Sequence, residues 1–484
     1  MTIAKDRRSF GLTAGLLAIA LGVGALSGVD PKIGLAAAMG LAFVTIVMAD
    51  LTIGLCIFAL LAFMNVIPET GSFVSFDKVA GGLLALSWLA TVANRREARK
   101  AFVSAHPLFF GVIVFFLVWV LLSLTWAEWP SVGVTPASRY VLDAFLFLIV
   151  FTTIRARRHV IWLTTAFVTA SVLSAAYGLF VPPPSVDQDR LAGTIGEPNQ
   201  LAAVLIAGLV LSLALAVIVR GRPLTRLILV FSAVLCLLTN FLTLSRAGLI
   251  ALAATMVVSV FVAGRWRVVV ATTAVFVLGA ILIFFNFVAT PDQRARVTSF
   301  GNTSGRSDIW TVGWRMVQAH PVTGIGVGQF QQSSVHYLIA PGAIQRSDLI
   351  VDKPKVAHNI YLQVLAELGI VGLIPFVIIL GFSLSCAMRA AHAFERRGDG
   401  GMELLSRGVF LGLVGILTAD FFASEQFSKQ LWLLLGLAPA LLAIATRSEE
   451  EELFEGDGTV EATPPPFAPR RLEPAPATPP LVGA

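Results

Sequence analysis

The sequence predicts an all-α membrane protein of about 12–14 transmembrane helices, because its apolar residues form long runs. Of the 484 residues, 56% are hydrophobic and 13% are charged, whereas soluble domains carry roughly 25% charged residues. The apolar residues group into runs of about 17 to 25, long enough to cross roughly 30 Å of hydrocarbon as helices. The alternating pattern of a membrane β-strand is missing from these runs.

The apolar runs divide the chain into four parts. Residues 1–289 hold eleven apolar segments, residues 290–358 form a long polar loop, and residues 359–446 hold the last three segments. Residues 447–484 begin with acidic residues and become rich in Pro and Ala, so we expect a disordered tail. Segments 33–49 and 51–67 are separated by little beyond Asp50 and form either a tight hairpin or one broken element.

The basic loops predict the orientation of the chain. With the N-terminus inside, the inner loops are 95–100, 155–159, 220–226, 265–267 and 389–397, and each contains Arg or Lys. The positive-inside rule requires this arrangement. The long loop then lies on the outer side and the tail on the cytoplasmic side. Because orientation explains the net charge of +6, we predict no nucleic-acid partner.

The long outer loop carries seven Arg or Lys residues against four Asp residues, an excess that an anionic ligand would explain. For most single cations, a solvated surface is the simpler interpretation. Arg306 differs, because it opens a predicted amphipathic helix with Ser304 as its cap. Backbone N–H groups and the dipole at a helix start favour an anion.

Two other outer-loop arginines are candidates. Arg246 interrupts almost forty apolar residues at Ser245, so it marks a hairpin and is either a topology marker or a functional cation. Arg190 lies in DRLAGTIGEPNQLA, just before a segment that opens at Asn199. Its Gly and Pro residues would let the loop fold back on the membrane surface.

His358 is the only histidine at the outer end of a predicted segment. No HExxH, DxD or Ser–His–Asp pattern competes for the role of base, and a reference pKa of about 6.5 suits proton transfer at neutral pH. A purely structural histidine remains the alternative.

The glycines of TGIGVGQF follow no predicted strand and indicate a turn rather than a nucleotide loop. Four polar residues in or near segments are either functional or members of structural pairs: Asp143, Asn240, Glu367 and Asp420.

Four stretches in order resemble the O-antigen ligase and polymerase family of bacterial membrane glycosyltransferases. They are RLAGTIGEPNQLA, LTLSRAGLIAL, TSGRSDIWTVGWRMVQAHPVTGIGVGQF and HNIYLQVLAELGIVGLIPF, within about residues 185–380. The resemblance implies a metal-independent enzyme without a cofactor, in the bacterial inner membrane, with its active site facing the periplasm. It would transfer a glycan from undecaprenyl diphosphate to an acceptor hydroxyl. It implies catalytic roles for His358, Arg306 and Arg246, and substrate contacts from Arg190, Asn199, Arg246, Arg306 and Asn359.

The acceptor stays open in this interpretation. A ligase would use lipid A–core, and a polymerase would use a second lipid-linked glycan in lipopolysaccharide or exopolysaccharide synthesis. A flippase for lipid-linked glycans or another transporter is the alternative from a different class, and predicts repeats, broken helices and a site at the membrane midplane. A structural scaffold is a third interpretation.

Overall fold

The computed structural model describes residues 24, 27–28, 31–65, 76–94, 106–181, 190–298, 305–338, 347–352 and 354–457. Within these ranges the chain is helical and forms no strand. The α-helices are α1 Pro31–Ala49, α2 Leu51–Leu61, α3 Phe76–Asn94, α4 Pro107–Leu122, α5 Pro130–Thr153, α6 Arg157–Phe180, α7 Pro198–Ile218, α8 Pro223–Leu242, α9 Arg246–Val262, α10 Arg267–Ile283, α11 Pro291–Thr298, α12 Arg306–Ala319, α13 Phe330–Ser333, α14 Asp348–Val351, α15 Ile360–Arg396, α16 Gly400–Ala419 and α17 Lys429–Asp457.

The predicted fold class is confirmed. In the described ranges nine helices are long and apolar enough to cross a membrane: Pro107–Thr125, Pro130–Thr153, Arg157–Phe180, Pro198–Ile218, Pro223–Leu242, Gly264–Val288, Ile360–Arg396, Gly400–Phe422 and Lys429–Arg447. Four shorter apolar helices accompany them: Ala38–Ala49, Leu51–Leu61, Ala80–Ala90 and Arg246–Val262. The protein is therefore an all-α polytopic membrane protein.

Local sequence explains several helix boundaries. Six helices, α1, α4, α5, α7, α8 and α11, begin at a proline, whose fixed φ and missing N–H suit the first helical position. Asp50 separates α1 from α2, because its carboxylate accepts hydrogen bonds from the N–H groups of Thr52 and Ile53. The two helices pack against each other, so the segment around Asp50 is a pair of helices rather than one element.

The core surrounds α7, which packs mainly against α16 and α8. In the most apolar 18-residue stretch of α7, 78% of the residues are buried, and in the corresponding stretch at the start of α17 the share is 83%. In the apolar segment Gly264–Val288 the corresponding share is only 11%, so most of its side chains face outward. A helix covered by lipid can expose apolar side chains in this way, because hydrocarbon is as apolar as the protein core.

The helices define two ends of the bundle. What we call the site end contains the starts of α7, α9 and α15, together with helices α11 to α14 from the predicted long loop. What we call the basic end contains the connections 219–222, 264–266 and 397–399. The described residues up to 445 form one compact unit, and those from 446 onward belong to a second. Helix α17 continues to Asp457, into the predicted disordered tail 447–484. The rest of that tail, from position 458 onward, lies outside the described residues.

Candidate active site

Four helices at the site end begin one or two residues after a residue with left-handed backbone. These residues are Gly196 (φ 85°), Leu244 (φ 50°), Gly305 (φ 60°) and His358 (φ 48°), and they precede α7, α9, α12 and α15. Among the described residues, Leu244 and His358 are the non-glycine residues with positive φ. Such backbone costs roughly 1–3 kcal/mol and clusters at functional sites. The cap residue of α12 is Gly305, so no side chain caps the start of this helix. The prediction of Ser304 as cap was therefore wrong, because the chain turns one residue later than the capping pattern indicated.

Hydrogen bonds join the starts of α7 and α9 to the segment around Arg190. The Oδ1 atom of Asn199 accepts from Arg190 Nη2 at 3.0 Å and from Ser245 Oγ at 2.8 Å. Arg190 Nε also donates to the carbonyl of Thr243 at 2.9 Å, and Ser245 Oγ caps α9 through the N–H of Gly248. The structure thus brings together the predicted residues Arg190 and Asn199 and links both to the backbone turn before α9.

Arg306 lies within electrostatic range of these residues. Burial lowers the pKa of Arg306; Glu197 opposes this shift, and Arg190 and Arg246 add to it. Arg306 is half-buried, next to two cations and one carboxylate. The predicted residues Arg190, Arg246 and Arg306 therefore form one cluster with excess positive charge. An anion would relieve the repulsion within this cluster.

His358 lies against the same cluster. Burial, followed by Arg306 and Lys355, lowers the pKa of His358 to about 4, so the imidazole is neutral at pH 7. Trp310 of α12 donates from Nε1 to the carbonyl of Ala357 at 2.9 Å, which ties the helix that begins at Arg306 to the residue before His358. A neutral imidazole beside arginines is able to accept a proton.

Asn359 acts first as a helix cap. Its Oδ1 atom accepts from the N–H groups of Tyr361 and Leu362, both at 3.0 Å, and its own N–H donates to Ser424 Oγ at 3.3 Å. These contacts hold the segment of His358 at the start of α15. A substrate contact from Asn359 would have to use the amide nitrogen, and it stays a prediction.

The glycine-rich segment TGIGVGQF forms the predicted turn, which packs on α15. The carboxylate of Glu367 accepts from the N–H groups of Gly328 at 2.8 Å and Phe330 at 3.4 Å, and from Gln363 at 3.1 Å. Gly369 interrupts α15 with a φ of 65°. A Cβ there would lie 2.1 Å from the carbonyl oxygen of Val322. Glu367 therefore supports the turn.

Asn240 is likewise structural, because its amide group donates a hydrogen bond to the carbonyl of Ala202 within the core.

The sequence analysis missed two carboxylates beside the arginines, Glu197 and Glu425, although it named their neighbour Asp420. Glu197 accepts from Asn199 Nδ2 at 2.7 Å and from the N–H of Gln200 at 2.5 Å. Burial, followed by Glu197, raises the pKa of Glu425 to about 8, while Arg139 opposes the shift. Asp420, at the end of α16, is buried nearby. Glu197 could have been noticed because it opens an apolar segment at GEPN, but nothing in the sequence places Glu425 beside it.

These observations define a polytopic helical membrane protein with a cluster of arginines and a neutral histidine at one end of the bundle. A family model described as O-antigen ligase matches residues 231–377, which include Arg246, Arg306 and His358. The chain is also 27% identical over 345 residues to an O-antigen ligase of Pseudomonas aeruginosa, a match that covers 70% of this chain and 78% of that protein. The two matches support the assignment of the chain to the O-antigen ligase family, as the four sequence stretches predicted. This family implies a glycosyltransferase-like enzyme of cell-surface polysaccharide synthesis.

Proposed function

We propose that the protein transfers a glycan from undecaprenyl diphosphate to an acceptor hydroxyl at the periplasmic face of the inner membrane. The observation that carries this proposal is the cluster of Arg190, Arg246 and Arg306 beside the neutral imidazole of His358. The cluster lies where transmembrane helices end, within reach of the headgroup of a lipid-linked donor. The acceptor is either lipid A–core or a second lipid-linked glycan.

The arginines would bind the diphosphate of the donor. Guanidinium groups bind phosphate through paired hydrogen bonds, each contributing about 1.5–3 kcal/mol. The starts of α9 and α12 add backbone N–H groups of partial positive charge on the same side. Asn199 would keep Arg190 and the start of α9 in place rather than bind the donor itself, because its side-chain atoms already bond to Arg190, Ser245 and Glu197.

His358 would act as the general base. In the proposed step the acceptor oxygen attacks the anomeric carbon, and its proton moves to the imidazole of His358. The bond between the anomeric carbon and the diphosphate oxygen breaks at the same time, and the leaving diphosphate takes the electron pair. Arg246 and Arg306 would stabilise the negative charge that develops there. In this mechanism arginine side chains, rather than a metal ion, stabilise the negative charge on the leaving diphosphate.

Transfer assays with the purified full-length protein test the proposal. The donor is an undecaprenyl-diphosphate oligosaccharide, supplied with lipid A–core or without a second acceptor, in the presence of EDTA. Glycan on the core would identify a ligase, and a ladder of longer lipid-linked chains a polymerase. We expect His358→Ala and Arg306→Ala to lose the product. Arg294→Ala is the matched control, because Arg294 is an exposed cation of the short helix α11 that bonds the carbonyl of Ala289. Loss of activity in EDTA, or full activity of His358→Ala, would contradict the mechanism.

The transporter alternative is less well supported. It predicts polar groups at the membrane midplane, whereas the charged candidates here gather where helices begin. The break in α15 at Gly369, which a transporter would also predict, is packed against the carbonyl of Val322 and serves the turn next to the candidate site.

A further inference from the structure

A second polar site lies at the basic end of the bundle, opposite the candidate active site. There the structure contains a cavity of about 470 Å³, a size typical of small-molecule sites. It lies among the end of α7, the connection before α10 and the connection between α15 and α16. Its lining residues are Val217, Arg220, Arg265, Trp266, Gly398, Gly400 and Gly401.

Trp266 lies between the two arginines of this cavity. The guanidinium carbons of Arg220 and Arg265 are 5.4 Å and 5.8 Å from the centre of the indole ring. Cation–π attraction holds both groups on one ring, although their charges repel each other. The indole Nε1–H is buried and has no hydrogen-bond partner among the described residues. An unpaired buried donor is costly, but this N–H is enclosed by protein, so the cavity itself presents the two guanidinium groups.

The neighbouring carboxylates are already used in ion pairs. Arg265 pairs with the buried Glu403. Arg407, which is also buried, pairs with Glu403 at 3.1 Å and with Glu395 at 2.7 Å. Asp399 pairs with Arg157 at 2.8 Å and caps α16 through the N–H of Met402. Across the described part of the chain, no carboxylate forms an ion pair with Arg220.

The start of α16 completes the cavity. Helix α16 begins at Gly400, and its first N–H groups carry partial positive charge. A Cβ at Gly400 would lie 3.0 Å from Arg265 Nη2, so the missing side chain lets the guanidinium approach the helix start. Two arginines and a helix start therefore meet at one cavity.

We propose that this cavity binds a phosphate group, either in the headgroup of an anionic membrane lipid or as free phosphate. Arginine forks and helix starts suit phosphate oxygens. The cavity also lies where four transmembrane helices end, and three basic connections meet there. Trp and Arg at this level are typical of the interface between protein, lipid headgroups and water.

Binding to the purified full-length protein in neutral detergent tests this proposal. After delipidation, native mass spectrometry would count bound phosphatidylglycerol, phosphatidylcholine or inorganic phosphate, and thermal unfolding would report stabilisation by each probe. Arg220→Gln is the test variant, because Arg220 is exposed and its loss should leave the fold intact. Arg226→Gln is the matched control, an exposed cation in the first turns of α8 that does not line the cavity.

We expect Arg220→Gln to weaken phosphatidylglycerol binding by about tenfold, since a charged hydrogen bond is lost, and Arg226→Gln to leave it unchanged. Arg220→Lys should restore part of the affinity. Inorganic phosphate that binds with the same dependence on Arg220 would support a free-phosphate site. Absence of binding by phosphatidylglycerol and phosphate, or equal weakening by both Gln variants, would overturn the proposal.

Discussion

At the scale of single residues, the charge state of His358 depends on its neighbours. Burial and the positive charges of Arg306 and Lys355 hold its pKa near 4, so the free protein keeps a neutral base at all physiological pH values. A bound diphosphate would bring negative charge to the same place and partly cancel the effect of Arg306. The pKa of His358 should then rise towards its ordinary value when the donor binds.

This coupling predicts different pH profiles for kcat/KM and kcat. The kcat/KM value reports the free enzyme, so it should stay level down to about pH 5 and fall below it, as His358 becomes protonated near pH 4. The kcat value reports the donor complex, so its loss with falling pH should begin at a higher pH. Steady-state transfer assays between pH 4 and 8 measure both. If kcat and kcat/KM fell at the same pH on the acid side, donor binding would leave the pKa of His358 unchanged, and the prediction would fail.

The geometry of Arg306 leads to a second residue-level prediction. We expect Arg306→Lys to lower kcat/KM by about 10–100-fold, because an ammonium cannot form the paired hydrogen bonds of a guanidinium. The measurement is transfer at subsaturating donor concentration. Arg294→Lys, the same change at an exposed arginine of α11, should remain near wild type. Equal activity of the two variants would mean that only net charge matters at position 306.

At the scale of elements, the candidate site is built from helix starts. Arg246 and Arg306 occupy the first positions of α9 and α12, and His358 precedes the cap of α15. The sequence allowed these boundaries to be predicted, since local polar residues interrupt apolar runs. It did not allow the left-handed backbone of Leu244 to be predicted, because a leucine adopts it only where surrounding packing compensates for the strain.

The break in α15 predicts a specific sensitivity at Gly369. We expect Gly369→Ala to lower the melting temperature and the transfer activity together, because a Cβ would lie 2.1 Å from the carbonyl oxygen of Val322 and left-handed backbone costs alanine about 1–2 kcal/mol. Gly381→Ala in the same helix is the control. Position 381 has open space for a Cβ, so alanine should be neutral or stabilising there by up to about 1 kcal/mol. Thermal unfolding in detergent compares the two. A similar melting temperature for both variants would show that the break is not required.

At the scale of the whole molecule, hydropathy was enough to predict the fold class but not the contacts inside the site. The thickness of the bilayer sets the length of the apolar runs, and the orientation of the chain sets the charges of the loops between them, so both can be read from local sequence. The approach of Glu197 to Glu425, by contrast, joins positions 228 residues apart and depends on how α7, α16 and α17 pack. Each of the three arginines was a candidate from its own place at a helix start or in an outer loop, but only the family resemblance predicted that they act at one site.

The distribution of charge over the two ends predicts the orientation of the molecule. Four of the five basic loops used for the orientation, 155–159, 220–226, 265–267 and 389–397, lie at the end that contains the Arg157–Asp399 ion pair. From the positive-inside rule we therefore expect this end to face the cytoplasm and the candidate active site to face the periplasm.

Cysteine labelling in intact cells checks this orientation. Gln332 at the site end and His392 at the basic end are both exposed, so each can be replaced by cysteine with little effect on folding. We expect a membrane-impermeant maleimide to label Gln332→Cys in cells with a permeable outer membrane, and His392→Cys only after the inner membrane is opened. The wild-type chain is the control, because its three cysteines are buried or half-buried within apolar helices. The reverse labelling pattern would place the arginine cluster in the cytoplasm, where a donor that is consumed in the periplasm could not reach it.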